Sequence, residues 1–311
     1  MVFFPAVFWL ATFIQGSIWW MENLASYLGL FLVTYLVFAF FFAIHQWFAH
    51  SAICIALASA FAVSSPRLKQ SPEITCTNPI NIVQYTLNSH ENYQVNTFIH
   101  YLKTQPADLV IVQEVSPYNK GQLKTLSYLY PHFYDGHLST DHRLDQVILS
   151  LHPLENMSVF LTQDEQPIVQ GIWQIDEHRQ MRLIVANPVF PSTQAQWHKR
   201  NAILLTIESM VNHFSDDEVL IIGDFNLSSN SIRFDNLLPE FQTFPVASWP
   251  TWSDTLHTPE LLMVALDHLW LKSPPEGQKI CQRQGLIAAS GSDHILVKTQ
   301  LGYANNQDNH K

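Results

Sequence analysis

The first 66 residues are almost without charge: Glu22 stands alone, and the next Asp, Glu, Lys or Arg is Arg67. A water-facing domain of that length normally carries many more charges, so an ordinary soluble core is not expected there. No basic residue precedes the first apolar run, and further apolar runs follow it, which speaks against a cleaved secretory leader. Cysteine is scarce. Nothing in the spacing of Cys54, Cys76 and Cys281 suggests a zinc site, and Cys76 and Cys281 are left open to pair or stay free. No internal repeat or low-complexity tract is present. Basic residues are in the minority: leaving out Glu22, 25 acids face 16 bases, a balance of about −9. That balance argues against a protein gripping a nucleic-acid backbone along its length, yet it suits an acidic cleft for a divalent cation.

Within the uncharged part, "LASYLGLFLVTYLVFAFFFAI" (24–44) runs 21 residues without a charge, the length of a bilayer span. "VFFPAVFWLATFIQGSIWW" (2–20) and "HSAICIALASAFAVS" (50–64) flank it, and Trp19, Trp20 and Trp47 resemble interfacial belts. The expectation is a transmembrane anchor of three helices over 1–65, followed by a Ser/Pro/Thr-rich linker at 66–79. Arg67 and Lys69 lean the large domain toward the cytoplasm, leaving the side of the membrane open. A polar tail occupies 303–311.

Between them, residues 80–302 read as one domain of alternating elements. Strands are expected at 81–87, 107–115, 146–150, 171–175, 182–188, 218–225, 265–271 and 294–301, with helices at 92–105 and 193–214. Continuous apolar runs such as "DLVIV" and "VLII" imply strands buried on both faces, hence sheets covered by helices. Several of these strands end on polar groups: Asn88, Gln113-Glu114, Asp224 with Asn226, Asp267-His268, and Ser292-Asp293-His294. Each alone has a bland reading, as a helix cap, a solvated carboxylate or an Asx turn. Their recurrence at strand ends, where a rigid scaffold presents chemistry, favours a site.

The ordered set "YTLN" (85–88), "DLVIVQEV" (108–115), "ILSLHPL" (148–154), "IIGDFN" (221–226), "PTW" (250–252), "LDHLWLK" (266–272) and "GSDHILV" (291–297) resembles the endonuclease/exonuclease/phosphatase superfamily, related to DNase I. The apolar N-terminus resembles the membrane-anchored branch of its bacterial members. The resemblance implies a four-layer α/β sandwich and a multi-pass protein of the bacterial inner membrane. It implies a phosphoesterase using Mg²⁺, or Mn²⁺, held by Glu114, Asn88 and Asp293. Asp224 would activate water, Asn226 would position phosphate or water, His294 would contact the phosphate as a hydrogen-bond donor or an acid/base, and Asp267 would orient His294. His268, next in a strand, would face the other way.

Asn187 stands where relatives carry a histidine or a tyrosine that helps hold phosphate, and an amide there carries no charge. The strand at 146–150 lacks a preceding glycine, and Ile295-Leu296 replaces the usual Arg-Pro after the histidine. The implied substrate is a phosphodiester or phosphomonoester on a lipid head group, a small phosphate or a nucleic acid, with membrane lipid as the neighbour and no protein partner indicated. The alternatives are a nuclease acting on DNA or RNA, and a catalytically weak relative that binds or scaffolds.

Overall fold

The computed structural model describes residues 2–14, 18–63, 74–87, 94–136, 144–214, 218–251, 258–287 and 292–304. Asn88 and Trp252 lie outside them, as do most of the expected linker and tail.

Two mixed sheets face each other. One has six strands: β1 (Cys76–Thr86), β2 (Leu109–Gln113), β3 (His132–Tyr134), β4 (Val147–Ser150), β10 (Lys279–Leu286) and β11 (Leu296–Ala304), in the order β10-β11-β1-β2-β4-β3. The other runs β5-β6-β7-β8-β9, from β5 (Leu154–Leu161), β6 (Pro167–Gln174), β7 (Gln180–Ala186), β8 (Val219–Asp224) and β9 (Asp267–Lys272). Each sheet contains one parallel pair, β1 with β2 and β7 with β8. Parallel neighbours need a crossover. Helix α5 (Gln94–Thr104) supplies the first and α7 (Gln194–His213) the second, with the short α6 (Pro117–Leu123) following β2; α5 and α7 put a helix on the outer face of each sheet. The result is the expected four-layer sandwich.

The period of two explains the continuous apolar strands. Ile80, Ile82, Leu109 and Ile111 point to the middle and meet Leu183, Val185, Leu220, Ile222, Leu269 and Leu271 of the other sheet. Val83, Tyr85, Val110 and Val112 point outward onto Phe98 and Leu102 of α5. Ile184 and Ile221 point outward onto Ile203 and Ile207 of α7. Both faces are apolar because both are covered.

Cys76 and Cys281 form a disulfide, their Cα atoms 6.1 Å apart, while Cys54 is free and buried. The bridge joins β1 to β10 across β11, closing a loop with a sequence separation of 205. Cys76→Ser is expected to lower stability by about 2–5 kcal/mol in denaturant unfolding.

Among the described residues, the uncharged N-terminal part folds as four helices: α1 (Phe4–Ile14), α2 (Trp19–Ser26), α3 (Leu28–Ile44) and α4 (Phe48–Val63). The expectation of three membrane passes, and with it placement in the bacterial inner membrane, is corrected: among the described residues no helix is long and apolar enough to cross a membrane. The long run is broken at Tyr27, with ψ 66, and ends before Gln46, with φ 61. The 17 residues of α3, at a rise of about 1.5 Å each, reach about 25 Å, short of a hydrocarbon core of about 30 Å. One face of α3, with Leu28, Phe31, Tyr35 and Ala39, packs on Cys54, Ala58 and Phe61 of α4. The Ser51 hydroxyl donates to the Ala39 carbonyl at 2.9 Å.

Candidate active site

The strand ends that carry polar groups gather at one edge of the sandwich. Asp224 closes β8 and stands opposite Asp267, the first residue of β9. Counting by twos places both on the inner face: Asp224 follows Leu220 and Ile222, and Asp267 precedes Leu269 and Leu271. Gln84 and Thr86 of β1 share that inner face. Both donate to Asp267 Oδ1 at 3.1 Å, so the carboxylate is held between the two sheets. Asp267 Oδ2 accepts from His294 Nδ1 at 2.7 Å, and His294 Nε2 lies 3.6 Å from Asp224 Oδ2. The result is a buried chain running Asp267, His294, Asp224.

Two further residues tighten it. The Ser292 hydroxyl donates to the Thr86 carbonyl at 2.6 Å and accepts the His294 N–H at 2.9 Å, fixing the turn that delivers the imidazole. Gln113, the last residue of β2, accepts the Asp224 N–H at 2.6 Å and donates to the Ala186 carbonyl at 2.9 Å, tying the sheets together beside the site. That close approach leaves no room at Gly223, where a Cβ would lie 1.9 Å from the Ala186 oxygen. Gly223→Ala is expected to cost about 1–3 kcal/mol in thermal unfolding and to lower turnover by displacing Asp224.

A cavity of about 450 Å³ opens over this chain. Glu114, Asp145, Asp224 and Asp293 line it with carboxylates, Asn187 and Asn226 with amides, and Phe190 and Trp249 with an apolar wall. Glu114 and Asn226 both hold left-handed backbone, φ 54 and 47, a conformation uncommon for non-glycine residues, which asparagine adopts more readily than glutamate. Asn187 donates to Asp145 Oδ2 at 3.4 Å. Asp293 accepts from the Trp249 indole at 3.0 Å.

Burial sets the charges. It pushes the Glu114 carboxyl up to about 7, against His294 and helped by Asp293 and Asp145. It pushes Asp224 up to about 7, against the pull of His294. For His294 burial works downward, but the carboxylates of Asp267 and Asp224 outweigh it and raise the imidazole to about 10. Burial opposes the charge of Asp267 too, yet His294 and the surrounding donors hold that carboxyl below its ordinary range. The chain therefore contains an imidazolium between an ionised Asp267 and an easily protonated Asp224.

The donor set fits a hard cation. Carboxylates outnumber cationic groups in the cavity, and hard divalent ions prefer such oxygens. Asp224, Asp267 and His294 each place one ligand atom within 4.8 Å of the others. The hydrogen bond between Asp267 and His294 already explains part of that spacing, leaving Glu114 and Asp293 as the freer oxygen donors.

The structure thus brings together Glu114, Asn187, Asp224, Asn226, Asp267, Asp293 and His294, while Asn88 falls outside the described residues. His268 faces away, as its parity requires: its Nε2 donates to the Leu227 carbonyl at 2.6 Å and its ring lies against Phe234. Burial pulls that imidazole down to about 4. Asp145 and Gln113 were not given roles from sequence. Gln113 neighbours Glu114, but its task appears only once β8 is placed against β2. Arg283 was also missed; buried in the edge strand β10, it donates to the Asp267 carbonyl at 3.0 Å.

Several solved structures share this fold. The D. rerio TDP2 complexed with single-strand DNA product superimposes with a TM-score of 0.60 at 15% identity, covering 73% of this chain and 100% of that one. A functionally unknown conserved protein from Enterococcus faecalis V583 gives 0.58 at 15% identity, covering 72% and 100%. Beta toxin 275–280 from Staphylococcus aureus gives 0.54 at 14% identity, covering 73% and 100%. No curated protein matches the chain. The model of the Endonuclease/Exonuclease/phosphatase family matches residues 86–306, a span that contains the whole buried chain of Asp224, Asp267 and His294. The chain belongs to the Endonuclease/Exonuclease/phosphatase family and is a hydrolase acting on phosphate ester bonds.

Proposed function

We propose that this enzyme cleaves a phosphodiester or phosphomonoester by direct attack of water on phosphorus. The observation that carries the reading is the Asp267–His294–Asp224 chain on the floor of a carboxylate-lined cavity. Asp224, with its carboxyl near 7, is suited to take the proton of the attacking water at neutral pH. His294, kept protonated, donates to a phosphoryl oxygen as negative charge grows there. Asp267 keeps the imidazole oriented and charged. Asn226 and Asn187 supply amides toward the phosphate. A Mg²⁺ or Mn²⁺ ion, held by Glu114 and Asp293 and, from its place in the sequence, Asn88, would neutralise phosphate charge.

The substrate class is narrowed by shape and charge. Phe190 and Trp249 offer one apolar wall beside the phosphate position, which suits a base, an aryl group or an acyl-bearing head group. A TDP2 of the same fold was crystallised with a single-strand DNA product, so a short single strand belongs among the candidates. The overall charge of −10 disfavours long duplexes.

Hydrolysis of a panel tests this: single-stranded DNA, sphingomyelin, inositol phosphates and bis-p-nitrophenyl phosphate, each with Mg²⁺ and with chelator. At least one substrate is expected to turn over. Chelator should lower the rate by at least about 10²-fold, with recovery on adding Mg²⁺ or Mn²⁺. Turnover that chelator leaves unchanged would remove the metal from the mechanism.

A further inference from the structure

Glu22, the single charge of the first 66 residues, is 5% exposed. It lies on α2, outside the span matched by the family. Its Oε1 accepts from Arg200 Nη2 and from the Ser231 hydroxyl, both at 2.9 Å, and its Oε2 accepts from the Trp197 indole. Arg200 is 1% exposed and reaches the site with its other nitrogen: Nη1 donates to the Asn226 carbonyl at 3.1 Å. Asn226 is the cavity residue held at φ 47. Its own N–H donates to Asp224 Oδ1 and its Nδ2 to the Pro188 carbonyl, each at 3.0 Å.

The same helix touches both loops that wall the cavity. Asn23 donates to the Pro191 carbonyl at 2.7 Å, beyond Asn187 and Phe190. Asn230, four residues after Asn226, donates to the Ser26 carbonyl at 3.1 Å. The Tyr27 ring, next in sequence, lies 6.1 Å from that of Trp249.

We propose that α2 is a brace of the active site, in which Glu22 and Arg200 are positioning residues that hold Asn226 in its left-handed conformation. The physical reason lies in Arg200. A buried guanidinium is stable only when its charge is matched. Glu22 matches it on one side, leaving the opposite edge of the planar fork to grip the Asn226 carbonyl. Without that grip, Asn226 can relax to right-handed backbone and carry its amide out of the phosphate position. The phosphoesterase domain thus depends on a helix outside its own family boundaries for the geometry of one loop.

The inference rests on the phosphoesterase reading, and its test separates the two. In the full-length protein, Glu22→Gln with Arg200→Met removes both charges, so no unmatched ion remains. The double variant is expected to melt near the wild type while kcat on bis-p-nitrophenyl phosphate falls about tenfold at unchanged KM. In an Asn226→Ala background the same pair should leave kcat unchanged, because the group it positions is gone. Arg200→Lys, which keeps the charge but lacks the second edge, is expected to show the same loss. Hydrogen exchange of the peptide 221–231 should quicken in both variants whether or not the wild type turns over any substrate. Wild-type kcat in the folded double variant, an equal loss in the Asn226→Ala background, or unchanged exchange of that peptide would overturn the brace. A wild type without turnover would instead count against the phosphoesterase reading, while the exchange result still decides the brace.

Discussion

Asp224→Ala is expected to lower kcat/KM by about 10²–10⁴-fold, the range for loss of a positioned general base. The protein should remain folded. Asp224 is almost fully buried and its nearest cation among the described residues is His294, 3.6 Å away, so its removal takes away a buried carboxylate and leaves a small cavity, at the loss of the oxygen that accepts the Asn226 N–H. The backbone clamp by Gln113 on the Asp224 N–H does not use the side chain and survives the substitution. The loss should therefore appear in kcat with little change in KM, read by steady-state kinetics beside a melting curve. Turnover equal to wild type would mean that the water is activated elsewhere.

Asp267→Asn should be nearly as costly for a different reason. Asparagine fills the same space and keeps an oxygen for Gln84 and Thr86, which now donate to the carboxylate at 3.1 Å. It removes the negative charge that offsets the burial of His294. Burial alone draws that imidazole downward, and Asp267 is the largest of the groups raising it to about 10. In the variant the ring should be largely neutral at neutral pH, unable to meet the charge that grows on a phosphoryl oxygen. A fall in kcat of about 10²-fold or more is expected. Nitrogen-detected NMR of the metal-free protein should show His294 protonated at pH 7 in the wild type and mostly neutral in Asp267→Asn. An imidazole still protonated in the variant would place the controlling charge on Asp224 instead.

Much of the architecture could be read from the chain because its inner strands are covered on both faces. Runs such as 107–115 and 218–225 contain β2 and β8, and the helices at 92–105 and 193–214 contain α5 and α7. The strands that escaped notice, β3, β5 and β10, all lie at sheet edges. An edge strand hides less apolar area, and β5 mixes exposed and half-buried positions irregularly, with none buried, so no periodic signal stands out. The site shows the same division. Asp224, Asp267 and His294 sit in short motifs at strand ends and were legible. Gln113, Asp145 and Arg283 act through contacts between distant strands, which a linear pattern does not contain.

The N-terminal part misled for a related reason. Hydropathy counts apolar residues, but it does not say where the helix that carries them begins and ends. Nor does it mark the breaks at Tyr27 and Gln46, where neither glycine nor proline signals a turn. The isolated charge there was informative all along: Glu22 is solitary in sequence and matched in space by Arg200.

The central claim is that water delivers its oxygen to phosphorus and the P–O ester bond breaks. Its most direct test is hydrolysis of the best substrate of the panel in ¹⁸O-enriched water, with mass spectrometry of both products. Attack of water at phosphorus puts the ¹⁸O atom in the phosphate-bearing product and none in the released alcohol. Label in the alcohol would show cleavage at carbon and contradict the roles given to Asp224 and His294.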